Sequence, residues 1–308
     1  MKRKRIANLP ASVHQRLLAL HQQTGEPHNV LLTRYALERF LYRLAATDHA
    51  KQFVLKGAML FLVWTEKMHR PTKDLDLLGF LEPSGARLKA LFKAVCKAKV
   101  DPDGLDFDPE NVRVEAIREE QEYGGQRVRL VAQLGKARIP VQIDVGFGDA
   151  VTPRPRVIEF PGLLDFPAPR LRAYPRETVV AEKFEAIASR GMQNSRMKDF
   201  YDVWFMARRF DFEGPVLAKA VAATFKRRST TLPGSIPLGL SEEFGRDATK
   251  QAQWKGFVRK SALDATGLQL AEALVVAREF LMPLADALVQ GTAFDTSWPA
   301  GGPWRSLK

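Results

Sequence analysis

Residues 70–80 read RPTKDLDLLGF. Two aspartates, Asp74 and Asp76, stand one residue apart in an apolar run that follows a basic segment. The pattern predicts a strand. Residues two apart in a strand point to one side, so both carboxylates face one way while Leu75 and Leu77 serve a core. Carboxylates are costly to bury, and like charges this close repel. A divalent cation between them removes both difficulties, and a purely oxygen donor set suits magnesium.

Working outward, VQIDVGF (141–147) offers a third acid, Asp144, on another run suited to a sheet interior. Three carboxylates on adjacent strands can hold two magnesium ions about 3.5–4 Å apart, the arrangement that promotes in-line phosphoryl or nucleotidyl displacement. Upstream, LKGAML (55–60) places the Lys56–Gly57 pair at a tight turn between a short strand and a helix. Backbone N–H groups in such a turn suit a phosphate. Arg70 and Thr72 lie between this turn and the aspartates.

The whole chain sets the context. It has 308 residues, enough for one large domain or two ordinary ones. Hydrophobic residues are 45% and charged residues 27%, which excludes disordered and fibrous classes. No stretch approaches the roughly 18 apolar residues of a membrane span, and MKRKRIANLPASVHQ lacks the apolar run of a signal peptide. The one cysteine, Cys96, sits between apolar helix positions and reads as a packing residue. With no internal disulfide possible, a cytoplasmic location is the default expectation. The net charge of +12 favours anionic partners such as nucleic acid or nucleotides.

Residues 10–25 and 27–47 read as two helices separated at Gly25 and Pro27. His14, His21 and His28 recur every seven residues, but the break makes surface or packing roles the expectation, not a metal site. A helix opened by Ser84 follows the aspartate strand. DPDGLDFDPE (101–110) reads as a solvated acidic turn, since it lacks the closing glutamate of a calcium loop. NVRVEAIREEQ, QRVRLVAQL and ARIPVQIDVGFGDAV read as strands, the first two joined by a turn at EYGG. The proline-rich segment 152–175 reads as a surface connector. From Arg176 the pattern is helical, and the tail 291–308 is weakly patterned. The expected division is 1–165, an α+β half with N-terminal helices, and 166–308, a helical half.

The order of KGAML, RPTKDLDL, VQIDV and then ETVVAEKFEAI with SRMKDFYDV resembles the nucleotidyltransferase toxins of the AbiEii/AbiGii type, the MenT toxins among them. The resemblance runs from about residue 27 to 285. It implies the nucleotidyltransferase fold shared with DNA polymerase β, a mixed sheet carrying Asp-x-Asp followed by helices. It implies transfer of nucleotides from an NTP to the 3′ acceptor end of tRNA, which blocks aminoacylation, and pairing with a cognate antitoxin. It matches Gly57 to the turn that grips the triphosphate, Asp74 and Asp76 to the metal pair, and Asp144 to the later strand acid. Lys183 matches the lysine on the nucleotide phosphates, and Asp199 the helical acid of the last motif. The family's serine after the glycine is Ala58 here, so a hydroxyl contact to phosphate is missing. In some relatives a hydroxyl near Thr72 is phosphorylated. A phosphate at Thr72 would repel both the aspartates and an incoming NTP.

The helical motifs also make physical sense alone. Lys183 can extend from a buried helix face toward a phosphate as a point charge. Arg196, Asp199 and Asp202 share a side of the next helix, so Asp199 either holds Lys183 or Arg196 in place or acts as a base. Asp202 and Lys198 serve function or an ordinary inter-helix ion pair. For RNA, FKRRSTTLP (225–233) and QWKGFVRK (253–260) offer Lys226, Arg227, Arg228, Lys255, Arg259 and Lys260 to phosphates. Trp254 is available either to stack on a base or to fill a core. The alternative functions are transfer to a protein hydroxyl by the same site, or a catalytically idle nucleic-acid-binding protein of the same fold.

Overall fold

A computed structural model describes residues 8–66, 70, 72–117, 124–261 and 267–307. It divides into two compact units: residues 1–148 with 156–173, and 149–155 with 174–308.

The first unit opens with α1 (Leu9–Thr24) and α2 (His28–Ala45). Asn8 caps α1 through its side chain, and Gly25 ends it in the left-handed conformation. Then come β1 (Phe53–Lys56), α3 (Leu60–Thr65), β2 (Asp74–Gly79) and α4 (Gly85–Cys96), the last capped by Ser84 as its sequence predicts. The sheet continues with β3 (Leu105–Phe107), β4 (Arg113–Ala116), β5 (Gln126–Leu134) and β6 (Ala137–Phe147). It closes with β7 (Arg156–Glu159) and β8 (Arg170–Ala173). Among the described residues these form an eight-stranded mixed sheet in the order β3-β5-β6-β2-β1-β8-β7, with β4 also on β5. β2 runs antiparallel to β1 and parallel to β6. Alternation along β5 and β6 buries Val128, Leu130, Ile139, Val141 and Ile143, while Arg127, Arg129, Gln142 and Asp144 take the other face. Phe40 of α2 stacks on Phe92 of α4, with ring centroids 5.7 Å apart, and Phe53 and Phe107 meet these rings edge-on.

Two segments of this unit differ from their sequence reading. The acidic run at 101–110 is not a solvated turn. Asp103 is buried, and its carboxylate accepts hydrogen bonds from Arg39 (2.9 Å) and Arg43 (2.6 and 3.0 Å) of α2. Tyr35 donates to the Asp103 carbonyl at 2.7 Å. Two arginines four residues apart on one helix thus convert an acid that looked solvated into a core anchor. The proline-rich segment is not a bare connector either. β7 and β8 extend the sheet, Phe160 is buried between them, and the Leu163 amide donates to Glu38 at 2.7 Å. The strand and turn expected over 118–123 lie outside the described residues.

The second unit is mostly helical, as its patterning predicts: α5 (Arg176–Arg190), α6 (Met197–Arg209), α7 (Gly214–Arg227), α8 (Glu242–Arg246), α9 (Ala248–Ser261) and α10 (Leu270–Gln290). Its first stretch, 149–155, is tied to the helices by Thr152, whose amide and carbonyl both bond the Thr178 hydroxyl. The weakly patterned tail is ordered. β9 (Phe212–Glu213), β10 (Thr296–Trp298) and β11 (Arg305–Ser306) form a small antiparallel sheet. Trp298 is buried and donates to the Ala207 carbonyl at 2.7 Å, and Trp304 stacks on Phe280. Two tryptophans, not periodicity, hold this end, which is why a pattern search misses it.

Candidate active site

Asp74 and Asp76 share a face of β2, half-exposed, while Leu75 and Leu77 are fully buried. Strand register puts Asp76 opposite Lys56 of β1 on one side and Asp144 of β6 on the other. Asp144 in turn lies opposite Arg127 of β5. The result is a row across four strands, Lys56, Asp76, Asp144, Arg127, with two adjacent acids between two bases. The next row is Asp74, Gln142, Arg129 and Arg113.

Gly57 turns the chain out of β1 with φ at +76°, a conformation open to glycine. A side chain there would also have no room. A Cβ on Gly57 would lie 2.0 Å from Oδ2 of Asp76 and 2.7 Å from its Cβ. The glycine therefore lets the Asp76 carboxylate sit directly on the turn backbone. Ala58 beside it is buried, so the hydroxyl missing from the family pattern is replaced by packing. Thr72 donates its hydroxyl to the Asp74 carbonyl at 3.1 Å and is turned toward the start of β2. Arg70 is half-buried.

The expected three-acid cage takes a different form. All three carboxylates are on one face, but Arg127 grips both oxygens of Asp144, Nε at 2.8 Å and Nη2 at 2.7 Å. This paired fork is the strongest geometry available between the two groups. It raises the Arg127 pKa further, chiefly through the hydrogen bond to Asp144. Asp144 is thus paired in place by Arg127; Asp74 and Asp76 are the other two acids on this face of the sheet. Among the described residues no group of three or more His, Cys, Asp or Glu is placed to hold a metal ion. Arg127 was missed from the sequence, although its place beside Arg129 on the polar face of QRVRLVAQL was a usable signal. Two oxygen donors at alternate positions of one strand, one seated on a glycine turn, still fit a hard divalent cation.

In the second unit α5 and α6 assemble the helical motifs. Lys183 donates to Asp199 at 2.8 Å and pairs with Asp202 at 2.7 Å, and Arg196 donates to the other oxygen of Asp199 at 2.8 Å. Both acids are buried. Burial alone would raise the Asp199 pKa, but Lys183 and Arg196 outweigh it and hold the carboxyl below its usual range. Such an anion is a poor base. Of the two roles open from sequence, the geometry favours holding Lys183 and Arg196, and Asp202 shares that task.

The basic segments divide. Lys226, Lys255, Arg259 and Lys260 are exposed, and Arg227 is half-buried. Arg228 does not fit the expected RNA contact. It donates to Glu185 at 2.7 Å and Asp149 at 3.2 Å, and pairs with Glu182 at 3.6 Å. Trp254 is 2% exposed and donates to the Leu268 carbonyl, so it fills the core and does not stack on a base.

The remaining candidates are structural. The chain reversal between α1 and α2 brings the His14 and His28 rings to 5.0 Å and those of His21 and His28 to 6.3 Å. Cys96 is buried, and burial pushes its thiol up to about 12, too high for a nucleophile. Among the described residues no helix is long and apolar enough to cross a membrane.

The paired carboxylates on the sheet face, one of them seated on a glycine turn, are the candidate centre. The profile of the family described as nucleotidyl transferase AbiEii toxin, type IV toxin–antitoxin system, matches residues 39–274. The chain belongs to this family and is a nucleotidyltransferase of toxin–antitoxin type; the family implies a cognate antitoxin. Two solved structures are similar to it. A candidate nucleotidyltransferase from H. pylori is 17% identical, with a TM-score of 0.47 over 92% of this chain and 98% of that one. JHP933 from Helicobacter pylori is 16% identical, with a TM-score of 0.46 over 93% and 96%. No curated protein matches the sequence.

Proposed function

We propose that the chain transfers a nucleotide from an NTP to RNA, at the 3′ acceptor end of tRNA, with Asp74 and Asp76 as ligands for magnesium. The carrying observation is the seat of the Asp76 carboxylate on Gly57, with Asp74 on the same face. Magnesium bound there would neutralise triphosphate charge and lower the pKa of an attacking hydroxyl. The residues of the chain do the rest. The Lys56–Gly57 turn offers a cation and backbone N–H groups to phosphate oxygens. Arg127 cancels the charge of Asp144, so the carboxylate face repels the triphosphate less than three bare acids would. Lys183 is the residue that would meet a phosphate group; Asp199 and Asp202 fix its position and share its charge. Blocking the tRNA acceptor end would halt translation, which suits a toxin, and places the activity in the cytoplasm.

Purified protein incubated with total RNA, magnesium and each α-32P-labelled NTP in turn tests the reading. Label in a tRNA-sized band, lost on treatment that removes the 3′ end, supports it. Label confined to protein, or absent from RNA with every NTP, refutes it.

A further inference from the structure

The sheet row that contains Asp74 does not end at the carboxylates. It continues through Gln142 of β6 and Arg129 of β5 to Arg113 of β4. Directly opposed residues in a sheet present their side chains to the same side. These four residues line a cavity of about 410 Å³ in the first unit, with Lys73 and Asn111 also on its wall. Val131 and Pro140, partners in the next row, add an apolar surface.

We propose that this cavity binds the unpaired 3′-terminal nucleotide of the RNA acceptor; this rests on the reading that the chain transfers nucleotides to RNA. Three features argue for that ligand. The cavity is in the range that takes a ligand of nucleotide size. Lys73, Arg113 and Arg129 supply positive charge for backbone phosphates, while Gln142 and Asn111 carry both donors and acceptors for a base edge. A concave site with an apolar surface suits a splayed-out base of a single strand and not a paired one, whose edges lie in the helix grooves.

Position separates this ligand from the NTP. β2 lies between β1 and β6 in the sheet. The Lys56–Gly57 turn flanks the aspartates from the β1 side, and the cavity flanks them from the β6 side. Transfer between two substrates needs both to reach the same carboxylates, and the two flanks give each its own approach. Arg129 is paired with Glu115 at 2.7 Å, both half-exposed, and such a surface pair is weak enough to yield to a phosphate.

The test uses the full chain carrying Asp76→Asn, which removes turnover in every arm. The probes are a fluorescein-labelled RNA hairpin ending in four unpaired 3′ nucleotides and the same hairpin with a blunt end, read by anisotropy over a salt series. The overhang should bind at least tenfold more tightly than the blunt end. Adding Arg113→Ala with Arg129→Ala should remove at least tenfold of the overhang affinity and lower the salt slope by about 1–2. Lys73→Glu, at an exposed position, serves as the second variant if the double one melts early. Equal binding of the two hairpins, or an affinity indifferent to these substitutions, overturns the assignment. In the otherwise unmodified chain the same substitutions should raise the KM for RNA and leave the KM for NTP alone. The reverse pattern would assign the cavity to the incoming nucleotide and overturn the proposal. If no RNA is ever labelled but overhang binding still depends on Arg113 and Arg129, the RNA-transfer reading falls and the cavity stands. If RNA is labelled with a KM blind to these residues, the cavity falls and the reading stands.

Discussion

Replacing Gly57 by alanine should separate the glycine's two roles. The first cost is conformational. A φ of +76° is unfavourable for an L-residue by about 1 kcal/mol. The second is steric. The new methyl would lie 2.0, 2.6 and 2.7 Å from Oδ2, Cγ and Cβ of Asp76, against a normal separation of about 3.5 Å. A rotamer change of Asp76 relieves the first two contacts and not the third, because its Cβ is fixed by β2. One of the paired strands must therefore shift, and overpacking of this kind costs about 1–3 kcal/mol. The sum, about 2–4 kcal/mol, corresponds to a fall of roughly 5–10 °C in Tm. Displacing a carboxylate of the proposed centre by about 1 Å should lower transfer about 100-fold. The assay is label incorporation beside a thermal melt, with Gly25→Ala as control. Gly25 also has positive φ, +72°, but nothing lies within 4 Å of its Cβ position, so it should lose only the conformational part and keep full transfer. If Gly57→Ala transfers within threefold of the parent, the account of the Asp76 seat is wrong.

Other outcomes follow from the same geometry. Arg127→Ala should tighten Mn2+ binding several-fold by freeing Asp144 beside Asp76, whereas Asp144→Asn should change it less than about threefold, as titration calorimetry would report. Asp103→Asn leaves Arg39 and Arg43 in the core without their anion and should cost about 3–5 kcal/mol in urea unfolding. Burial pushes the Asp103 carboxyl up, but Arg43 and Arg39 outweigh it and hold it below its usual value. The stabilisation is therefore present above pH of about 4 and is lost as pH falls through the folded pKa, a dependence that the Asn variant should lack. Removing Lys226, Lys255 and Arg259 together should flatten the salt dependence of RNA binding with little change in Tm, while Arg228→Ala should lower Tm by stranding Glu182, Glu185 and Asp149.

The alternation around Asp74 and Asp76 was legible because a strand's period of two has a direct sequence image, and the helices of the second unit were legible for the equivalent reason. The Arg196–Asp199 pair was visible as helix spacing, three residues apart on the sequence that begins α6. What was hidden depends on which strands become neighbours. Arg127 meets Asp144 only because β5 and β6 pair in one register, and no local pattern in either strand specifies that. Asp103 looked solvated because its two arginines lie about sixty residues away on α2. Trp254 and Arg228 share the composition of an RNA-binding surface. Their roles follow from the Leu268 carbonyl and from three carboxylates that only the folded chain brings near. β7, β8 and the tail sheet were obscured by proline and by short strands held through tryptophan packing.

The most direct test of the central claim is a Mn2+ titration of the full chain followed by electron paramagnetic resonance, run on the parent and on Asp74→Asn and Asp76→Asn. The account predicts a bound Mn2+ signal that magnesium displaces, weakened at least tenfold by either substitution with little change in Tm. Parent-like Mn2+ affinity in both variants would contradict it.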